Sequence, residues 1–312
     1  MGLEAVESVD AVAESVLERA RRGRFGITFR GDAAYPARLG EVGDSPPLLF
    51  YRGPPCSTRR RVAMVGSRKT TRAQEAAAKT LAAEIGRQGV GVVSGAAEGI
   101  DTASHEGALL VGGETWAFVG SALDCLDPAV AVITGAMLEK AGTVYSEFPP
   151  GVHADRTTFP RRNRLISGAS DAVLIVRAGE ESGALITAAC ALDQGRPLLA
   201  RPGEVDDDTA KGCNRLLRSG KARMCLELAD VLATLGLGVT ATPGIPQGPP
   251  VNWEEVSPAA REVYRGLARE PTLFEQVMTE TRLSSGALAS ALCELELLGL
   301  VIQRPGKRYE KT

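Results

Sequence analysis

RVAMVGSRKTTRAQEAAAKTLAAEIGRQGVGVVSG, residues 61–95, decides the fold. RVAMVG is a short apolar run that ends in Gly66. The Ala-rich TRAQEAAAKTLAAEIGRQG that follows has the period of a helix, and Gly89 closes it as a C-cap. VGVVSG is then a second buried strand. Neither strand alternates apolar with polar residues, so both of its faces must be covered.

The pattern repeats outward. A helix around GIDTASHEGALLVGG, the strand TWAFVG, a helix near 129–141, the strand TVYS, the strand DAVLIV, a helix near 182–194 and the strand PLLA follow in turn. Strands alternating with helices predict a doubly wound α/β domain with a mostly parallel sheet over residues 58–235. Before it, residues 1–57 read as an acidic amphipathic helix and a Pro-rich, extended lead-in that is not a packed domain. After it, 236–252 is a Gly/Pro linker. Residues 253–312 hold three helical stretches, then a strand, the turn PGK and a strand, the order of a winged helix.

The bulk numbers exclude several classes. At 312 residues, 44% hydrophobic and 24% charged, the chain has a globular composition and room for two domains. Its N-terminus has no basic start or apolar core of a signal peptide, and no apolar run reaches the ~18 residues of a membrane span. A cytoplasmic location is expected. The six cysteines are scattered with no C-x-x-C pair, which argues against zinc and against a disulfide framework. No metal or cofactor is expected. A formal net charge of -2 does not suggest nucleic acid by itself, but binding depends on where charge sits.

In an open parallel sheet, ligands sit beyond the carboxyl ends of the strands, where the strand order reverses. The loop VGSRKTT offers Gly66 for a tight turn, Ser67, the charges of Arg68 and Lys69, and a helix N-terminus. A second loop carries Ser94 and Gly95, and a later one Ser182 and Gly183. Each loop alone fits a structural turn; three together favour an anionic ligand. A dinucleotide is disfavoured, because no G-x-G-x-x-G follows the first strand and no acid ends the second. G-x-x-x-x-G-K-[ST] is missing too. Asp101 and His105 lie four apart on one helical face, as a structural hydrogen-bond pair or, less simply, as catalytic groups; Asp101 could also cap its helix. No nucleophile–histidine–acid order fits, so no catalytic residue is assigned.

RTTFPRRNR, residues 156–164, packs Arg156, Arg161, Arg162 and Arg164 around Phe159 without an acid, in the long connection on the ligand-facing rim. Guanidinium forks grip phosphate, and an exposed ring stacks unpaired bases. The competing reading keeps Phe159 in the core and the arginines as a solvated face.

The domain as a whole resembles the DprA/Smf family of bacterial DNA-processing proteins. The matching motifs, in order, are YPARL with SPPLLFYRG (35–53), VGSR (65–68), SGAAEGIDTASHEGAL (94–109), GGETWAFVGSALD (112–124), SEFPPG (146–151), FPRRNRLISGAS (159–170), SGALITAACALDQGR (182–196), RPG (201–203) and KGCNRLLRSGKA (211–222). The resemblance implies an extended Rossmann-like domain that binds single-stranded DNA, forms homodimers, helps load the RecA recombinase in transformation and recombination, and does no established chemistry. On the family pattern, Arg68, Arg156 and Phe159 would touch DNA, and Gly66 and Ser67 would give backbone amides to phosphate. Arg161, Arg162, Asn163 and Arg164 match the RNR block, with Asn163 and Arg164 either touching DNA or holding the loop from inside. Ser94, Gly95, Gly99 and Asp101 would shape the pocket. The family usually has a basic residue at Glu98, Ala at Ser104 and an acid at Arg177; Glu98 could weaken a phosphate contact and Arg177 restore charge. It often carries a larger N-terminal helical domain than the leader seen here. In the winged helix the third helix has no Lys or Arg and carries Glu294 and Glu296, which favours docking over duplex reading, although Arg304, Lys307 and Arg308 of the wing leave weak nucleic-acid contact open. The alternatives are a phosphoribohydrolase acting on nucleoside monophosphates, whose usual GGxGT loop is ESGALITA here, and a winged-helix transcription regulator.

Overall fold

Arg61–Gly66 lies at the centre of a nine-stranded sheet in the computed structural model, which describes residues 9–55, 58–140, 142–237, 253, 256–267, 271–298, 300–304, 306 and 308–311. The chain divides into two compact units, residues 1–239 and 240–312. The first runs α1 (Val9–Gly23), β1 (Gly26–Phe29), α2 (Ala37–Gly40), β2 (Leu48–Arg52), β3 (Arg61–Gly66), α3 (Arg72–Arg87), β4 (Gly91–Ser94), α4 (Ile100–Leu110), β5 (Thr115–Phe118), α5 (Pro128–Leu138), β6 (Gly142–Ser146), α6 (Thr158–Gly168), β7 (Ala172–Arg177), α7 (Ala184–Asp193), β8 (Leu198–Ala200), α8 (Lys211–Arg218), β9 (Arg223–Met224) and α9 (Leu228–Thr234). The strand order is β1-β2-β6-β5-β4-β3-β7-β8-β9. Pairing is parallel from β6 to β9, and β1 and β2 run antiparallel.

Successive residues of the inner strands enter different cores, as an apolar strand covered on both faces requires. Ala63 and Val65 of β3 join Val173 and Ile175 of β7 beneath α6 and α7. Val62, Met64, Ala172 and Leu174 face the other way, onto α3, α4 and α9. Met64, Leu174 and Ile175 are fully buried, and cutting such a side chain to Ala costs about 2–5 kcal/mol. Stability therefore resides in the sheet, which leaves its loops free to serve a ligand. α3 starts with a capping box: Gln74 N–H donates to Thr71 Oγ1 and Thr71 N–H to Gln74 Oε1. It ends at Gln88, with Gly89 beyond at φ +70°.

The lead-in differs from the sequence reading. Residues 26–52 supply β1 and β2, and β2 pairs with β6, Phe50 opposite Ser146. Leu49 and Tyr35 are core residues beneath α6, and Phe25 and Phe50 pack with α5. The compact unit thus begins well before residue 58. The prolines concealed this, but Pro46 and Pro47 stand just ahead of β2, where no ladder N–H is needed. Among the described residues no helix is long and apolar enough to cross a membrane.

The second unit has α10 (Pro258–Gly266), β10 (Thr272–Leu273), α11 (Phe274–Thr281), α12 (Ser285–Leu297), β11 (Val301–Arg304) and β12 (Arg308–Lys311), with sheet order β10-β12-β11. This is the expected winged helix with one further strand. Its core gathers Val263, Val277, Leu288, Leu292 and Leu295. Most of the linker, from 238 to 252, and Lys307 of the wing lie outside the described residues, as does the Arg304 side chain.

Candidate nucleic-acid interface

From β3 the chain moves to β4, β5 and β6 on one side and then returns to β7 on the other, so the order reverses at β3. The crevice beyond β3 and β7 is the place for a ligand. Ser67 N–H donates to Arg177 O at 2.8 Å and ties the two strand ends together. Gly99, at φ +81°, lets the loop after β4 lie against the loop after β3, since a Cβ there would stand 2.6 Å from Ser67 O. A cleft of about 970 Å³ opens at this point, lined by Gly66–Lys69, Asp101, Arg156, Phe159, Arg162, Asn163, Glu180–Gly183, Asp208, Thr209 and Lys211.

The structure brings Arg68, Lys69, Arg156 and Phe159 together from separate turns. Arg68 and Arg156 are exposed and Phe159 is half-buried. The Arg68 guanidinium carbon lies 4.7 Å from the centre of the Phe159 ring, a cation–π contact. The ring rests against Gly120, where a Cβ would stand 3.1 Å from Cδ1. Phe159 is therefore a wall of the cleft, with Arg68 already over it. Ser182 and Gly183 reach the cleft at the start of α7; the Gly183 carbonyl accepts from Asn163 Nδ2 at 3.4 Å.

The rest of the arginine segment is rearranged by its backbone. The sequence reading made it a loop, whereas residues 158–168 are the helix α6. Asp155 starts it, accepting the N–H groups of Thr157 and Thr158 at 2.7 and 2.9 Å. The Thr157 hydroxyl, and then these two amides, hold its carboxyl below the usual range. Along α6 successive side chains turn by about 100°, so its arginines do not all point into the cleft. Arg162 is 4% exposed and donates to the carbonyls of Gly95 and Phe118; it organises the pocket floor and is corrected from a DNA contact to an internal one. Arg164 is likewise internal, donating to Asp44 O and Glu147. Arg161 is exposed but lies over Phe148, 5.2 Å from that ring's centre, outside the cleft lining. Asn163 is buried and steadies α7 while touching the cleft.

Three other assignments change for the same reason, that the group already has a partner. Ser94 is buried with its hydroxyl donating to Met64 O at 2.6 Å, and Gly95 N–H donates to Asp101 at 3.1 Å. The Ser67 amide, engaged by Arg177 O, has no hydrogen left for phosphate. A Cβ on Gly95 would collide with Arg162, so glycine is required there by the arginine behind it.

Asp101 and His105 do not form a pair with each other. Asp101 is buried beside Arg162; burial raises its carboxyl pKa, and the guanidinium opposes the rise. The same burial brings Arg162 down to about 10. His105 is fully buried with Nδ1 2.7 Å from Thr115 Oγ1. Because Thr115 Oγ1 donates to Val92 O, it accepts from His105, which fixes the proton on Nδ1. Burial, then the Arg162 charge, depress this histidine to about 3, so it is neutral at pH 7.

Of the family departures, Glu98 is exposed beside Arg68 and Phe159 in a smaller hollow. Arg177 adds no loose charge, because it donates to Asp207 and Thr209. Sequence reading missed Glu180 and Glu181, which line one side of the cleft, and Lys211, which pairs with Asp208 at 2.5 Å. Glu180 and Glu181 directly precede Ser182 and Gly183, and Lys211 opens KGCNRLLRSGKA; the fold shows that these side chains line the cleft.

An open, mostly parallel sheet with a cationic, aromatic-walled cleft at its switch point, followed in the chain by a winged helix, defines a Rossmann-like protein with an appended winged-helix module. Residues 26–236 match the model of the DNA recombination-mediator protein A family and residues 247–307 that of the DprA winged helix domain. The chain belongs to this DprA/Smf family. It is 32% identical to protein Smf of Synechocystis over 90% of this chain and 78% of that one, and 33% identical to protein Smf of Escherichia coli over 87% and 74%. The X-ray structure of DNA processing protein A from Streptococcus pneumoniae superimposes with a TM-score of 0.65 at 33% identity, covering 73% of this chain and 78% of that one. The solved structure of DNA processing protein A from Helicobacter pylori, described for its single-stranded DNA binding mode, gives 0.60 at 28% identity, covering 68% of this chain and 97% of that one.

Proposed function

We propose that this chain binds single-stranded DNA in the cleft beyond β3 and β7, as a binding protein and not an enzyme. In this reading it is a cytoplasmic homodimer that protects exposed strands and helps load RecA in transformation and recombination. The observation that carries the reading is that Arg68 and Arg156 line one cleft with Phe159, and that Arg68 lies over the Phe159 ring. Guanidiniums take the phosphates, and Phe159 with the Arg68 plane upon it offers a stacking surface to an unpaired base. A duplex, its bases already stacked, gains little from that surface. Glu180 and Glu181 repel phosphate along one rim and so direct the strand toward Arg68 and Arg156.

The test is fluorescence anisotropy with labelled oligo-dT over a range of salt. Affinity should fall with a log–log slope of about -0.7 per phosphate neutralised. Arg68→Glu should nearly abolish binding. Phe159→Ala should weaken it by about 1–3 kcal/mol, the contribution of one stacked base, and leave the salt slope unchanged. Equal affinity of Arg68→Glu and the parent would refute the site. Release of free base from nucleoside monophosphates would favour the hydrolase reading instead.

A further inference from the structure

A second aromatic and cationic surface lies in the winged-helix unit, away from the helix that reads duplex DNA in such modules. α12 holds that place, and it carries no Lys or Arg. Its Glu294 is committed within the unit, accepting from Ser257 N–H at 2.8 Å and Ser257 Oγ at 2.6 Å at the start of α10. Cations stand instead on α10 and β12, among other places. Trp253 and Tyr264 have ring centres 5.1 Å apart at 45°, and Lys311 Nζ lies 4.8 Å from the Tyr264 ring centre. Arg261 and Arg265, one turn apart on α10, complete with these rings a hollow of about 300 Å³. Trp253 is 39% exposed, so part of its ring is open to a stacking partner. Among the described residues no acid lines the hollow, and Glu262 stands beside it on α10.

We propose that this hollow is a second single-strand site, in which an unpaired base stacks on Trp253 while Arg261, Arg265 and Lys311 hold the adjoining phosphates. It rests on the single-strand reading of the first unit. An open ring beside cations takes bases of any sequence, and its ligand must be unpaired for the ring to be reached. Joined to the first cleft by one chain, even a weak second site raises the affinity for strands long enough to reach both.

The full-length protein supplies its own probe. It has two tryptophans, and Trp116 is sealed in the core at 4% exposure, so a change of emission on adding oligo-dT reports Trp253. The expected result is quenching that saturates, and that persists at higher oligonucleotide concentration in Arg68→Glu. Trp253→Ala, and separately Arg265→Glu at an exposed position, should lower the affinity for long oligo-dT about tenfold, within the range for one stacked base. Unchanged emission while anisotropy reaches saturation would overturn the proposal and leave the first cleft standing. Quenching by poly-glutamate but not by oligo-dT would also overturn it, assigning the hollow to an acidic protein partner. Failure of the first cleft looks different: Arg68→Glu then binds like the parent, whatever Trp253 does.

Discussion

Arg156 stands exposed at the cleft, whereas Arg162 is buried with its guanidinium on two main-chain carbonyls. The difference is one of solvation: Arg162 has replaced its water with carbonyl oxygens and the nearby Asp101, while Arg156 can still exchange water for phosphate. Nearby, His105 is neutral because its Nε2 has no partner in the core and its Nδ1 is already a donor. Its pKa is about 3 folded and about 6.5 unfolded. Between those values the unfolded chain binds the extra proton, so stability falls as pH drops from 6.5 towards 3. Over the interval from pH 7 to pH 5 this one residue should remove about 2 kcal/mol. Urea unfolding of the parent and of His105→Gln at both pH values measures it as the difference in their pH dependence, which should vanish if His105 is protonated in the fold.

At the scale of the element, α6 sorts the arginine segment. Its periodicity sends Arg162 inward, Arg164 towards Glu147 and Arg161 onto Phe148, and leaves Phe159 at the cleft. Asp155 anchors the first turn. Asp155→Ala should loosen that turn and displace Phe159 and Arg156 from each other. Oligo-dT affinity should fall while the midpoint of global unfolding shifts little, because the buried part of α6, Leu165 and Ile166, is untouched. An unchanged affinity would mean that the turn is held by its packing alone.

At the scale of the whole molecule, the sheet needs its lead-in. β2 covers the edge of β6, and β1 continues beyond it, with Leu49 and Phe50 buried at 0% and 3% exposure. A chain starting at residue 58 would expose the β6 edge and the apolar surfaces that received those side chains, the condition for edge-to-edge association. Such a chain should aggregate in size-exclusion chromatography where the parent runs as a discrete species. A discrete, folded truncation would show that β1 and β2 are dispensable.

The sequence by itself determined the alternation of apolar strands with helices, and with it a doubly wound sheet. It also determined the winged-helix order, because these patterns are local and repeat with the periods of strand and helix. It put Arg68, Lys69, Arg156 and Phe159 forward for one site, and they share a cleft. Only the tertiary structure decided that residues 26–52 complete the sheet and that Arg162, Arg164, Ser94 and the Ser67 amide already have internal partners. It alone placed Glu180, Glu181 and Lys211 beside the site. Those outcomes depend on which distant carbonyl or strand edge arrives next to a group, and a polar group's availability is settled by its neighbours in space, which no single stretch of chain encodes.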